Sequence, residues 1–131
     1  MSRRHGRRRR GVFLEADLIE SAAFRRLSGL GHRLLLLFLA RRHFEDVLRS
    51  GERRSMCINL RSIQLPYRVA AKALHCSQEG FRQALDGLIG LGFVDVIAPG
   101  GFEAGERRPT VYGISDRWRL YGTQNFDQAQ R

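Results

Sequence analysis

Six arginines crowd the first ten residues: Arg3, Arg4, Arg7, Arg8, Arg9 and Arg10. Arginine is a planar, permanently charged fork that grips phosphate oxygens two at a time. A run of like charge cannot pack, so residues 1–12 are expected to form a solvated, disordered arm. Its natural partner is a polyanion, and nucleic acid is the commonest one inside a cell. The bland alternative is a solubilising tail, because arginine makes up 22 of the chain's 23 basic residues and is not special to the arm. Other reactive side chains assemble into nothing. His32 and His43 stand eleven apart, not at the four-residue spacing of a helical metal pair. His75 and Cys76 are adjacent and so point different ways, and Cys57 and Cys76, nineteen apart, suit neither a disulfide scaffold nor a zinc site. Gly100, Gly101 and Gly105 do not lead from a strand into a helix, so they make no nucleotide loop. With no nucleophile–base pair, metal cage or phosphate cradle, the expectation is a non-enzyme with no cofactor and no small-molecule substrate.

The chain has 131 residues, 43% of them hydrophobic, enough for one globular domain. Beyond the arm, 17 basic residues face 13 acidic ones, so the charge asymmetry belongs to the N-terminus. The longest apolar run, Leu34 to Ala40, is seven residues, whereas a membrane-spanning helix needs about 20. After the arm comes GVFLEADLIE, whose three acids exclude a secretory signal. A soluble, intracellular chain without membrane partners is expected.

Apolar spacing predicts a helix over Asp17–Leu27 and, after Ser28-Gly29-Leu30-Gly31, a second over Leu30–Phe44 that is apolar nearly all round and therefore buried. Arg49–Arg54 is polar, holds a glycine and is read as a loop; a short strand is expected near Ile63-Gln64-Leu65. Pro66 suits the first turn of a helix running through Leu74, with Val69, Ala70, Ala73 and Leu74 inward. After the break at His75-Cys76, Ser77 caps a helix over Gln78–Leu91. Its core positions Phe81, Ala84, Leu85 and Leu88 leave Gln78, Glu79, Arg82, Gln83 and Asp86 facing outward. Gly90 and Gly92 bracket its end. Phe93–Ala98 and Thr110–Ile114 read as strands joined by a loop over Pro99–Pro109, and Ser115–Trp118 starts a last helical turn.

Helix, helix, tight turn, helix and a β-hairpin with a long basic loop resembles the winged helix-turn-helix order. The residues are similar as well. PYRVAAKALHCSQEGFRQALDGLIGLGFVDV matches the second helix, turn, recognition helix and first wing strand of that family. Leu88-Ile89-Gly90-Leu91-Gly92-Phe93-Val94 resembles the segment that leads such domains into the wing. GGFEAGERRPTVYGISDRW and SAAFRRLSGLGHRLLLLFLARR resemble the wing and first helices of phage and plasmid replication proteins and related prokaryotic regulators. The chain departs from the pattern twice: His75 stands where the turn usually has glycine, and Gly80 where the recognition helix usually starts with a small hydroxyl residue.

The resemblance implies an α+β, mainly helical fold: a disordered arm (1–12), a winged helix-turn-helix domain (13–122) and a flexible tail (123–131). It also implies binding of double-stranded DNA in replication initiation or transcription regulation of a phage, plasmid or bacterial replicon, in the prokaryotic cytoplasm at the nucleoid. The recognition helix would enter the major groove, where Arg82 forks onto guanine and Gln78 or Gln83 onto adenine. Arg107 and Arg108 on the wing would meet a minor groove or the backbone. Arg68 and Lys72, four apart, would hold a phosphate strand. The arm, including Arg7, Arg8, Arg9 and Arg10, would follow a neighbouring minor groove. A homodimer, or replication or transcription proteins, are further expected partners. Two alternatives stand beside this reading. One is RNA binding through the arm, against which the body offers no exposed aromatic platform. The other is a protein-interaction module, favoured by the acidic Glu79 and Asp86 on the outward face.

Overall fold

The computed structural model describes residues 11–103 and 105–127. The arm arginines Arg7, Arg8, Arg9 and Arg10 lie outside the described residues, as do residues 128–131 of the expected tail. Among those described, five α-helices and three antiparallel strand pairs make an α+β fold.

The segment expected to be one helix over Asp17–Leu27 is two short ones, α1 (Ala16–Glu20) and α2 (Ala22–Arg25). Ser21 divides them. Its backbone is extended, and its hydroxyl donates to the Leu18 carbonyl at 2.8 Å while accepting from the Phe24 N–H at 3.1 Å. A serine hydroxyl that can serve both helix ends competes with continuation of the helix. α3 (Gly29–Ala40) follows, with Ser28 Oγ accepting from the Gly31 N–H at 2.9 Å. It buries Leu34, Leu35, Phe38 and Leu39 but leaves Leu36 exposed, so the helix expected to be buried nearly all round turns one side to solvent. It ends at Ala40, not Phe44, because the Arg41 and Arg42 amides close back tightly onto Phe38 and Leu39.

The chain then enters a β-hairpin whose turn and flanking strand ends fall in the loop expected over Arg49–Arg54: β1 (Phe44–Arg49) pairs in full register with β2 (Glu52–Cys57). Ser50 (φ 52°) and Gly51 (φ 81°) turn it, both left-handed as a two-residue hairpin turn requires. The strand expected near Ile63–Leu65 is a single bridge, in which Ile63 and Tyr112 exchange backbone hydrogen bonds of 2.9 and 2.7 Å.

α4 (Tyr67–Leu74) begins one residue after Pro66, which precedes the first turn and accepts the Val69 and Ala70 N–H groups. Ala70 and Leu74 are its buried positions, while Ala73 is exposed, correcting the inner face drawn from spacing. His75 ends it in the left-handed conformation (φ 55°, ψ 53°), a shape histidine bears better than bulkier residues. α5 (Gln78–Leu91) starts at the Ser77 cap and buries Phe81, Ala84, Leu85, Leu88 and Ile89. Gly92 closes it at φ 95°; a Cβ there would lie 2.6 Å from the Trp118 amide nitrogen, so glycine lets the chain's last turn dock on this helix end.

β3 (Val94–Ala98) pairs with β6 (Val111–Ile114), with a register irregularity between Val96 and Ala98. Between them, where a loop was expected, β4 (Gly101–Glu103) pairs with β5 (Glu106–Arg108). A 3₁₀ turn, Arg117–Leu120, completes the order. Helices and the β3–β6 pair share one core centred on Phe38, Leu85, Leu88, Phe93 and Val94. Trp118 stacks on Phe93 with centroids 6.0 Å apart, and packing reaches back to Val12. Phe126 meets Tyr121 edge-on at 5.3 Å. No helix among the described residues is long and apolar enough to cross a membrane.

Candidate nucleic-acid interface

A groove of about 640 Å³ runs between the start of α4, the first turns of α5 and the β4–β5 ribbon. Its floor is apolar: Leu65, Phe81, Leu85 and Tyr112. Arg68, Arg82, Arg107 and Arg108 line it with Gln78, and none of the described residues lining it carries a carboxylate. Four guanidiniums around one concavity make a site suited to an anion with apolar or aromatic parts, since each can fork onto oxygen pairs while the floor takes the rest.

The elements set these positions for separate reasons. Ser77 caps α5 through the Gly80 N–H at 3.0 Å, fixing where Gln78 and Arg82 project. A Cβ on Gly80 would sit 3.4 Å from Leu30 of α3, so a small residue there lets α5 lie close against that helix. The ribbon is rooted at Gly100, whose N–H donates to Thr110 Oγ1 at 3.1 Å. Any Cβ at Gly100 would stand only 2.7 Å from that oxygen, so the root closes around a glycine. Arg107 and Arg108 are therefore held on a paired strand and not on a free loop.

Of the residues singled out from sequence, Gln78, Arg82, Arg68, Arg107 and Arg108 meet at this groove. Lys72 and Gln83 do not. Lys72 is exposed on α4 away from the groove lining, so the expected Arg68–Lys72 pair is split. Gln83 faces a separate hollow formed with Leu27, Ser28 and Leu30. Its amide donates to Glu79 Oε2 at 3.0 Å. Arg82 is held by the same carboxylate, donating to both oxygens at 2.8 and 2.9 Å. Hydrogen bonds from Arg82 and then Gln83 hold the Glu79 carboxyl below its ordinary value, and Glu79 in turn raises Arg82. The triad is solvent-exposed, so its strength is that of a surface pair and it can open at little cost.

Sequence patterning gave no sign of Phe102. It is 74% exposed, lines the groove, and carries the Arg107 guanidinium 5.7 Å from its ring centroid. The body thus does present an exposed aromatic beside arginines, contrary to expectation. The usable signal is an aromatic flanked by glycines in a polar stretch, GGFEAG, which has no core to fill.

Outside the groove lining, Asp95 joins Arg61 (3.0 Å) and Arg117 (2.8 Å). Arg117 also donates to the Ile89, Val94 and Asp127 carbonyls, which makes it a structural tie. Among the described residues no group of three or more His, Cys, Asp or Glu is placed to hold a metal ion. Cys57 and Cys76 are both free thiols, half-buried. No family model, no curated protein and no solved structure matches this chain.

Proposed function

We propose that the chain is a winged helix-turn-helix domain that binds double-stranded DNA. α5 is then the recognition helix in the major groove, and β3–β6 with β4–β5 form the wing. The observation that carries this reading is the convergence of Arg68, Arg82, Arg107 and Arg108 with Gln78 on one basic groove. A DNA strand passing between the helix and the wing would place its phosphates against these arginines and its base edges against Gln78 and Arg82. The arm would add counterion release, steepening the salt dependence by about 0.9 log units per phosphate neutralised. The replication or transcription setting follows only from the sequence resemblance. So does a place in the prokaryotic cytoplasm, at the nucleoid.

A protein-interaction module is the second reading, and one observation favours it. Glu79 occupies the hydrogen-bonding edge of both Arg82 and Gln83, the outward residues best suited to read bases. Fluorescence anisotropy with random duplex DNA over a salt series separates the two readings. The full chain, a variant lacking residues 1–10 and the triple variant Arg82→Ala, Arg107→Ala, Arg108→Ala are compared. DNA binding through the groove requires the truncated chain to bind and the triple variant to lose affinity. Should truncation abolish binding while the triple variant matches the wild type, the protein-interaction reading takes its place.

A further inference from the structure

The Phe102 ring belongs to no part of the core, whereas Phe38, Phe81, Phe93 and Trp118 are all buried in it. It stands on β4 directly across from Arg107 in the ribbon's register. The guanidinium lies over the ring, and the ring remains 74% exposed. Gly101 before it adds no side chain, and even a Cβ there would meet open space. Ring and guanidinium both line the basic groove.

We propose that Phe102 is a nucleobase-stacking residue: its ring takes the face of a base while Arg107 and Arg108 take the phosphates of the same strand. This rests on the nucleic-acid reading of the groove. A flat apolar ring attracts any base because every base has a π-face. A guanidinium on the other side polarises the ring and sets its plane. In a duplex the ring would stack on a base exposed at an opened base step. In a single strand it would receive an already unstacked base. Arginines alone would grip the backbone equally well anywhere; the aromatic gives the wing a preference for steps that open easily.

The test uses the full chain with a short duplex and its separated strands, titrated over a salt series. Phe102→Ala should weaken binding roughly 5- to 150-fold, the range of one base–aromatic stack, with an unchanged salt slope because no counterion release is forfeited. Phe102→Trp should restore affinity, and the added indole, read against the wild type's single Trp118, should be quenched by the bound base. Phe102→Leu should not restore it. The nucleic acid showing the larger loss supplies the base. The proposal is overturned if Phe102→Ala binds like wild type while the triple arginine variant loses affinity. It also falls if the salt slope flattens, since the ring would then serve only to hold Arg107, or if leucine restores binding in full. If the triple arginine variant itself binds like wild type, the groove reading fails and stacking fails with it.

Discussion

The tetrapeptide Gly-Glu-Arg-Arg occurs twice, at 51–54 and 105–108, and both copies turn a hairpin through a glycine at φ 81°. Their surroundings differ. Each ribbon's strands pair only with each other, and β1–β2 is tied at its base where Asn59 accepts from the His43 N–H at 2.7 Å and donates to the Arg41 carbonyl at 2.9 Å; its Arg54 is engaged by Glu52 at 3.2 Å, and Leu48 is 72% exposed. In β4–β5 the ribbon is rooted in the β3–β6 pair through Gly100 and Thr110 and faces α5 across the groove. Two arginines on a ribbon are therefore not a binding element by themselves. An opposing wall with its own cations is what would convert them into one under the proposed function, because a clamp needs two held sides.

Four measurements sharpen or break that contrast. The largest effect should come from removing the arginines of each ribbon in turn. Arg107→Ala with Arg108→Ala should lower duplex affinity at least tenfold and flatten the salt slope by about 0.9 for each phosphate no longer neutralised. Arg53→Ala with Arg54→Ala should leave affinity within about twofold once salt is physiological. Equal losses would erase the distinction. Next, Gly100→Ala forces a Cβ against Thr110 Oγ1 and the Arg108 carbonyl, 2.7 and 2.9 Å away. It should cost about 1–3 kcal/mol in thermal unfolding and weaken DNA binding with it. Gly51→Ala strains its turn by about 1–2 kcal/mol, but only locally, and binding should not change.

Smaller is the effect of opening the Glu79 clamp. Glu79→Gln should raise duplex affinity roughly two- to fivefold, the scale of one exposed ion pair, by releasing Arg82 into the groove. A loss of affinity would show instead that Glu79 orients Arg82 for its target. The smallest effect is in pH. Glu79 titrates below its ordinary 4.5 when folded, so the clamp's contribution is present above that value and fades as pH falls through the lowered one. Carbon-detected NMR of the Glu79 carboxyl should give a midpoint under 4.5 in the wild type, returning towards it in Arg82→Ala.

The helices that carry a buried face were legible. α5 shows Phe81, Ala84, Leu85 and Leu88 at helical spacing, and α3 is apolar enough to be core in any fold. The break at His75 was legible too, since two helical patterns meet there with no residues to spare. β1 and β2 were not, for a physical reason. Among their residues only Val47 and Cys57 are even half-buried, so no face is selected and no alternation is written into FEDVLR or ERRSMC. Backbone pairing and a two-residue turn form this hairpin, and side-chain patterning is silent about both. Of the groove, the arginines were readable as charge and their convergence was not. Arg68 and Arg107 are brought together by the fold, whereas Lys72, on the same helix as Arg68, is left outside. Phe102 escaped notice because an isolated aromatic in a glycine-rich stretch has no periodicity to report.

Tyr112 of β6 pairs with Val96 of β3, bridges to Ile63 and sets its ring edge-on to Phe38 at 5.2 Å. One late residue thus joins three segments made far earlier in synthesis. Its consequence is temporal. A nascent chain that has emerged only as far as α5 lacks the strand that pairs with Ile63, whose partner lies some fifty positions downstream. Completing the core therefore needs a long-range closure in addition to the packing of helix on helix, and non-local pairings of that kind slow folding. The basic groove has Tyr112 in its floor and the β4–β5 ribbon as its wall, so it too is completed only once this late stretch has joined the helices.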